Sequence, residues 1–151
     1  MSLYDRRTLL VSAAAIAALA ACGFQPVYAP GGVATGLHGK IRTTPPADDL
    51  GFDFIVAFED RLGRPTQPVY ELAHRIELST RGDSLFGTLG YELTEIGTGQ
   101  VRSSGQVTSF VTAATGPTPL STDRARDAAE SRLARALADQ LVARLMAARL
   151  E

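Results

Sequence analysis

The sequence predicts an α+β fold: a small four-stranded sheet in the order strand, helix, three-strand meander, helix, with the two helices packed on one face. Three observations predict it. Apolar residues recur at helical spacing in two stretches, one near the middle of the chain and one at its end. Between them, three runs alternate apolar and polar residues with a period of two. Short glycine-bearing breaks separate those runs, as hairpins require. A chain of 151 residues, 45% of them hydrophobic, suits one domain with one core.

The elements follow in order. Residues 37–43, "LHGKIRT", set Leu37, Gly39 and Ile41 against His38, Lys40 and Arg42, the alternation of a short strand. Pro45-Pro46 ends it, and Asp48 or Asp49 offers the N-cap of a helix in which Phe54, Ala57, Phe58 and Leu62 form one stripe. Gly63 and Pro65 stop that helix. In "VYELAHRIELST", Tyr70, Leu72, His74, Ile76 and Leu78 alternate with Glu71, Ala73, Arg75 and Glu77, the clearest strand in the chain. A turn at Arg81-Gly82-Asp83 leads into "LFGTLGYELTEI", and Gly97-Thr98-Gly99 leads into "QVRSSGQVTSFVT". Ser121 or Thr122 caps a last helix whose Ala129, Leu133, Ala136, Leu137, Leu141, Val142, Leu145 and Ala148 make a stripe wide enough to cover a sheet. On its outer face, Arg135 and Asp139 stand at pairing distance, four residues apart. If the first two strands are neighbours, the intervening helix makes them parallel.

The first 21 residues have another character. Arg6 and Arg7 precede "TLLVSAAAIAALAA", which carries no charge: a basic region, an apolar region, then small residues, the layout of an export signal. The uncharged run from Thr8 to Gln25 is marginal for a spanning helix, which needs about 20 apolar residues. Leu19-Ala20-Ala21-Cys22 closes it with the pattern of a lipobox, and Cys22 is the single cysteine. A thiolate is the side-chain nucleophile best suited to accept a diacylglyceryl group. The expected organisation is therefore a lipoprotein signal peptide at 1–21, a lipidated amino terminus and Pro/Gly-rich tether at 22–36, and one α+β domain at 37–151. Gly23, rather than an aspartate, after the lipidated cysteine favours the outer membrane by the sorting rule of Gram-negative lipoproteins. Arg6-Arg7-Thr8-Leu9-Leu10 faintly resembles a twin-arginine signal, but paired arginines are common in ordinary leaders, and export of an unfolded chain is the expectation.

Chemistry is sparse. One cysteine closes no intramolecular disulfide, and with only His38 and His74 beside it no zinc-ligand spacing arises. G-x-S-x-G, the Walker A loop and G-x-G-x-x-G are all missing. "GTGQVRSSG" lies between two strands with no helix after it, so a turn explains its glycines. His74 alternates with Leu72 and Ile76 and reads as a packed histidine, while Asp48-Asp49 and Glu59-Asp60 read as capping and solvated groups. No enzyme, cofactor or metal is expected. A formal net charge of −1 gives no overall field for nucleic acid. Lys40, Arg42, Arg75, Arg81 and Arg102 all fall on or beside strands, where guanidinium groups can pair with phosphate and adjacent apolar surface can receive acyl chains, the chemistry of a lipopolysaccharide binder. Cross-strand pairing with Glu71, Glu77, Glu92 and Glu95 is the other use for them.

Cys22, Gly23, Phe24, Pro26 and Tyr28, in the pattern C-G-F-x-P-x-Y, together with the element order and the closing "ARDAAESRLARALADQLVARL", resemble the LPS-assembly lipoprotein family, LptE. The resemblance spans almost the whole chain. It implies a lipid-anchored protein facing the periplasm that plugs the lumen of the LptD β-barrel, supports its assembly and engages lipopolysaccharide on its way to the outer leaflet. Only Cys22 carries over as a family residue. The loop "AATGPTPLST" lacks the tyrosine expected before the last helix in related proteins. An auxiliary lipoprotein of an envelope ABC-type lipid transporter would share the same outline.

Overall fold

The structure is a computed structural model that describes residues 36–113 and 118–148. Its elements are β1 (Ile41–Thr43), α1 (Asp49–Leu62), β2 (Tyr70–Arg81), β3 (Ser84–Glu95), β4 (Val101–Thr112) and α2 (Pro119–Ala147). The sheet order is β1-β2-β3-β4, with β1 parallel to β2 and the other neighbours antiparallel. This is the expected α+β architecture, including the parallel first pair.

Each element starts and stops for a local reason. The Asp48 side chain accepts from the Gly51 amide at 2.7 Å and caps α1, and Gly63, at φ 77°, ends it. A two-residue hairpin joins β2 to β3, with Gly82 at φ 58° taking the left-handed position that opens a type II′ turn. Thr118, not Ser121 or Thr122, caps α2: its hydroxyl accepts from the Ser121 amide while the Ser121 hydroxyl accepts from the Thr118 amide. The helix begins one turn earlier than expected because Pro119 is pre-set for a first helical position.

β1 is shorter than the alternation over 37–43 suggested. Residues 36–37 are helical and 38–40 form a turn, with Gly39 at φ 67°. The Gly39 amide donates to the Leu62 carbonyl, which bends the chain onto the end of α1. Leu37, Gly39 and Ile41 are nevertheless buried and His38, Lys40 and Arg42 exposed. The burial pattern survives although the extended backbone does not.

Both helices lie on one face of the sheet and share one core. Phe54 and Phe58 of α1, Leu72 of β2, Leu89 and Leu93 of β3, and Leu133, Leu137, Leu141 and Leu145 of α2 are sealed from solvent. On α2, Ala134 and Ala138 complete the buried stripe where Ala136 and Ala148 were expected, since the helix also packs sideways on α1. Asp139 accordingly pairs with Arg61 of α1 at 2.8 Å instead of with Arg135, whose Nε donates to the Ser131 carbonyl. Ser131 donates in turn to Asp53, a second polar tie between the helices.

Candidate functional site

The described helices cover one face of the sheet and leave the other open. Strand side chains alternate between faces, so register decides which residues share the open one. Leu72 pairs with Leu93 and Ile76 with Leu89 on the covered side. The intervening Glu71, Arg75, Glu77, Ser79 and Arg81 of β2 therefore point away from the helices, with Phe86, Thr88 and Glu92 of β3 and Ser104, Gln106, Thr108 and Phe110 of β4. Arg42 of β1 joins them opposite Glu71.

Of the five basic residues singled out by sequence, Arg42, Arg75 and Arg81 share this face. They do not converge. Arg75 and Arg81 stand six residues apart on one strand, about 20 Å. Arg42 donates to Glu71 at 3.1 Å across the parallel pair, so cross-strand pairing accounts for it. Arg75 faces Gly90 rather than an acid, and its nearest carboxylate is Glu77 at 3.8 Å, two residues along its own strand. With those side chains 86% and 73% exposed, that ion pair contributes little and leaves the guanidinium available. Arg102 is the extra residue of a bulge, flanked by the pairs Leu93–Ser103 and Thr94–Val101, and donates to Gln100. Lys40 is exposed in the turn before β1. The set forms a dispersed basic fringe interleaved with carboxylates, not a concave anion site.

Arg81 has an aromatic partner. Its guanidinium lies 5.5 Å from the centre of the Phe86 ring, and Phe86 stacks on Phe110 at 5.7 Å and 25°. Phe110 is 65% exposed, so the far end of the open face carries an accessible aromatic pair beside a cation. Alternation places Phe110 on the polar side of its strand, with Ser104, Gln106 and Thr108. The missing information was the β3–β4 register, which sets Phe86 directly opposite it.

His74 lies on the covered face, as its alternation indicated. Its ring sits 5.0 Å from that of Phe54, and Nδ1 is 3.3 Å from the Thr44 hydroxyl. Burial pushes its pKa below the usual histidine value of 6.5, against smaller opposing effects from the Leu72 backbone and the Asp48 carboxylate. Unfolding therefore favours proton uptake, so the stability contributed by neutral His74 is present above pH 6.5 and is lost as pH falls below it. Urea titrations between pH 8 and pH 5 are expected to show falling stability on acidification, with a shallower fall in His74→Leu. An identical pH profile in the variant would refute this role. A groove of about 530 Å³ lies beside this ring, lined by Pro45, Ala47, Asp48, Gly51, Arg75 and Ile76. Among the described residues there is no cluster of three metal-ligating side chains, and no helix is long and apolar enough to cross a membrane.

Cys22, the leader and the tether lie outside the described residues. No family model and no curated protein matches the chain. Among solved structures, the chain is similar to a candidate lipoprotein from Caulobacter crescentus CB15, at TM-score 0.68 and 20% identity over 78% of this chain and 95% of that one. A minor lipoprotein from Acinetobacter baumannii is also similar, at TM-score 0.49 and 15% identity over 73% of this chain and 92% of that one. At such identities the Caulobacter likeness establishes a shared fold.

Proposed function

We infer that the chain is an outer-membrane lipoprotein, anchored through Cys22, that acts with the LptD β-barrel as plug and assembly factor in lipopolysaccharide transport. No catalysis or cofactor enters this reading. The observation that carries it is the open sheet face: a surface that the described helices leave uncovered, polar, charge-mixed, and bearing arginines together with a Phe86–Phe110 stack in which Phe110 is exposed. Such a face suits the polar interior of a wide barrel, where ion pairs and hydrogen bonds replace water. The helices, packed on the other side, share one core with the sheet, as a compact plug requires. The lipobox-like leader, the C-G-F-x-P-x-Y start and the fold shared with a candidate lipoprotein support envelope placement.

Purification of the full-length chain from outer membranes in mild detergent tests the partner. Co-isolation of a large β-barrel protein is the expected result; recovery with an inner-membrane permease or ATPase instead would replace this reading with that of a transporter auxiliary lipoprotein. For the ligand, Arg75→Glu is expected to weaken lipopolysaccharide capture several-fold, because it reverses an open-face charge held only by an exposed 3.8 Å ion pair with Glu77. Arg102→Glu, at the bulge, is expected to do so less. Unchanged capture in both variants would confine these arginines to sheet chemistry.

A further inference from the structure

The two outer edges of the sheet are not alike. On β4, arginines of α2 reach over to occupy outward carbonyls: Arg144 donates to the Gln106 carbonyl at 2.8 Å and Arg132 to that of Thr112 at 3.2 Å. On the outer side of β2, among the described residues, the neighbour is β1, which pairs with residues 70–72. The Thr44 amide donates to the Leu72 carbonyl, and Pro45-Pro46 then turns the chain away. Leu72 thus faces β1, and by alternation the N–H and C=O groups of His74, Ile76, Leu78 and Thr80 point to the same side. Among the described residues no strand meets them. An open edge of this kind is a template for another strand.

We propose that this edge pairs with the same edge of a second copy, joining two sheets antiparallel across a two-fold axis at Ser79. The charges on β2 select that register. With Ser79 opposite Ser79, Leu78 of each copy bonds opposite Thr80 of the other, and Glu77 of each faces Arg81 of the other on the open face. Only registers that differ by an even step bring outward groups together. One such step toward β1 sets Arg75 against Arg81; a second sets Glu77 against Glu77; one step the other way sets Glu77 against Asp83. All three juxtapose like charges. A third step toward β1 would face Arg75 with Glu77, but it drives the partner's Gly82-Asp83 hairpin into the space β1 occupies.

The covered face agrees with this choice. The groove by His74 and Ile76 marks where the amino-terminal end of α1 lies along β2, and beyond it Leu78 is 38% exposed. In the Ser79 register the two Leu78 side chains become diagonal neighbours and shield one another between the two α1 helices. Pairing in this way also satisfies an edge that otherwise invites uncontrolled association. This inference does not depend on the function proposed above and concerns the chain outside a barrel, since a copy seated as a plug has its β2 edge enclosed.

Sedimentation of the full-length protein in density-matched detergent tests it. The protein mass is expected to double with concentration. Glu77→Arg and Arg81→Glu are each expected to remain at the single mass, since each sets like charges face to face, whereas their equimolar mixture and the Glu77→Arg/Arg81→Glu double variant regain the doubled mass. Ser79→Cys supplies an independent readout. Non-bonded antiparallel pairs bring Cα atoms to about 4.5 Å, within disulfide reach, so mild oxidation is expected to yield linked dimers well beyond those of the parent chain, whose one cysteine is Cys22. A single mass at every concentration overturns the proposal, including the case in which the chain's own amino-terminal segment covers the edge. So does a doubled mass that both single reversals leave intact, or a Ser79→Cys chain that fails to link.

Discussion

Leu137→Ala is expected to destabilise the domain by about 3–5 kcal/mol, near the top of the range for leucine truncations in cores. Leu137 is sealed from solvent, and part of the surface it rests on is Gly87 of β3, which has no side chain to move into the space. Neighbours relax poorly into such a void, so the cavity persists. For a domain of this size the loss corresponds to roughly 12–20 °C in Tm. Gly87 supplies the control. A Cβ there would lie 3.0 Å from Leu137 Cδ1 and 3.1 Å from Leu133 Cδ2, so Gly87→Ala overpacks the wild-type interface. In the Leu137→Ala background the tightest of these contacts is gone and only those with Leu133 remain, so a coupling of about 1 kcal/mol is expected between the two sites. Denaturant titration of the two single variants and the double variant measures it. Strict additivity would mean that α2 does not rest on β3 through this contact.

Cys22→Ser is expected to abolish acyl labelling and to release the protein from the membrane fraction. A hydroxyl is a far poorer nucleophile than a thiolate, and lipoprotein cysteines commonly carry three chains. At about 0.8 kcal/mol per buried CH₂, several chains make attachment effectively permanent, so their loss shifts the protein almost entirely to the soluble fraction. Metabolic labelling with a fatty-acid analogue, followed by fractionation, reads both effects. Continued labelling, or a variant still sedimenting with membranes after a carbonate wash, would remove the lipid anchor from the account.

These two experiments probe different parts of the chain, and the sequence was informative about them in different ways. The period-two run from Tyr70 to Leu78 and the helical stripe through Phe54 and Phe58 were legible because burial on one side imposes a period on composition. Asp48 was legible as a cap for α1, since an aspartate before an apolar helical stripe has a local task. The start of α2 was misplaced by a few residues because three hydroxyl residues near it, Thr118, Ser121 and Thr122, could each cap a helix, and only backbone geometry chooses among them. β1 was drawn too long because Leu37 and Gly39 are buried with Ile41 in a turn that imitates the alternation of a strand. Arg61 with Asp139 was beyond reach altogether: the pair joins residues 78 positions apart, and Arg135, four positions from Asp139, was the local alternative.

The sequence by itself determined the α+β class, the element order, the core stripes and the exported, lipid-anchored expectation centred on Cys22, because each rests on local pattern or covalent chemistry. Only the tertiary structure decided how the arginines are deployed. Strand register gave Arg42 to Glu71, left Arg75 facing a glycine, laid Arg81 over the Phe86–Phe110 stack and put Arg102 in a bulge. It also decided that β1 pairs with three residues of β2, so that among the described residues no strand meets the rest of that edge, while arginines of α2 bond two carbonyls of the other. The physical reason is the same in each case. Periodicity records which side of an element is buried, whereas a contact between strands or helices depends on a register set by turns and packing far away in the chain.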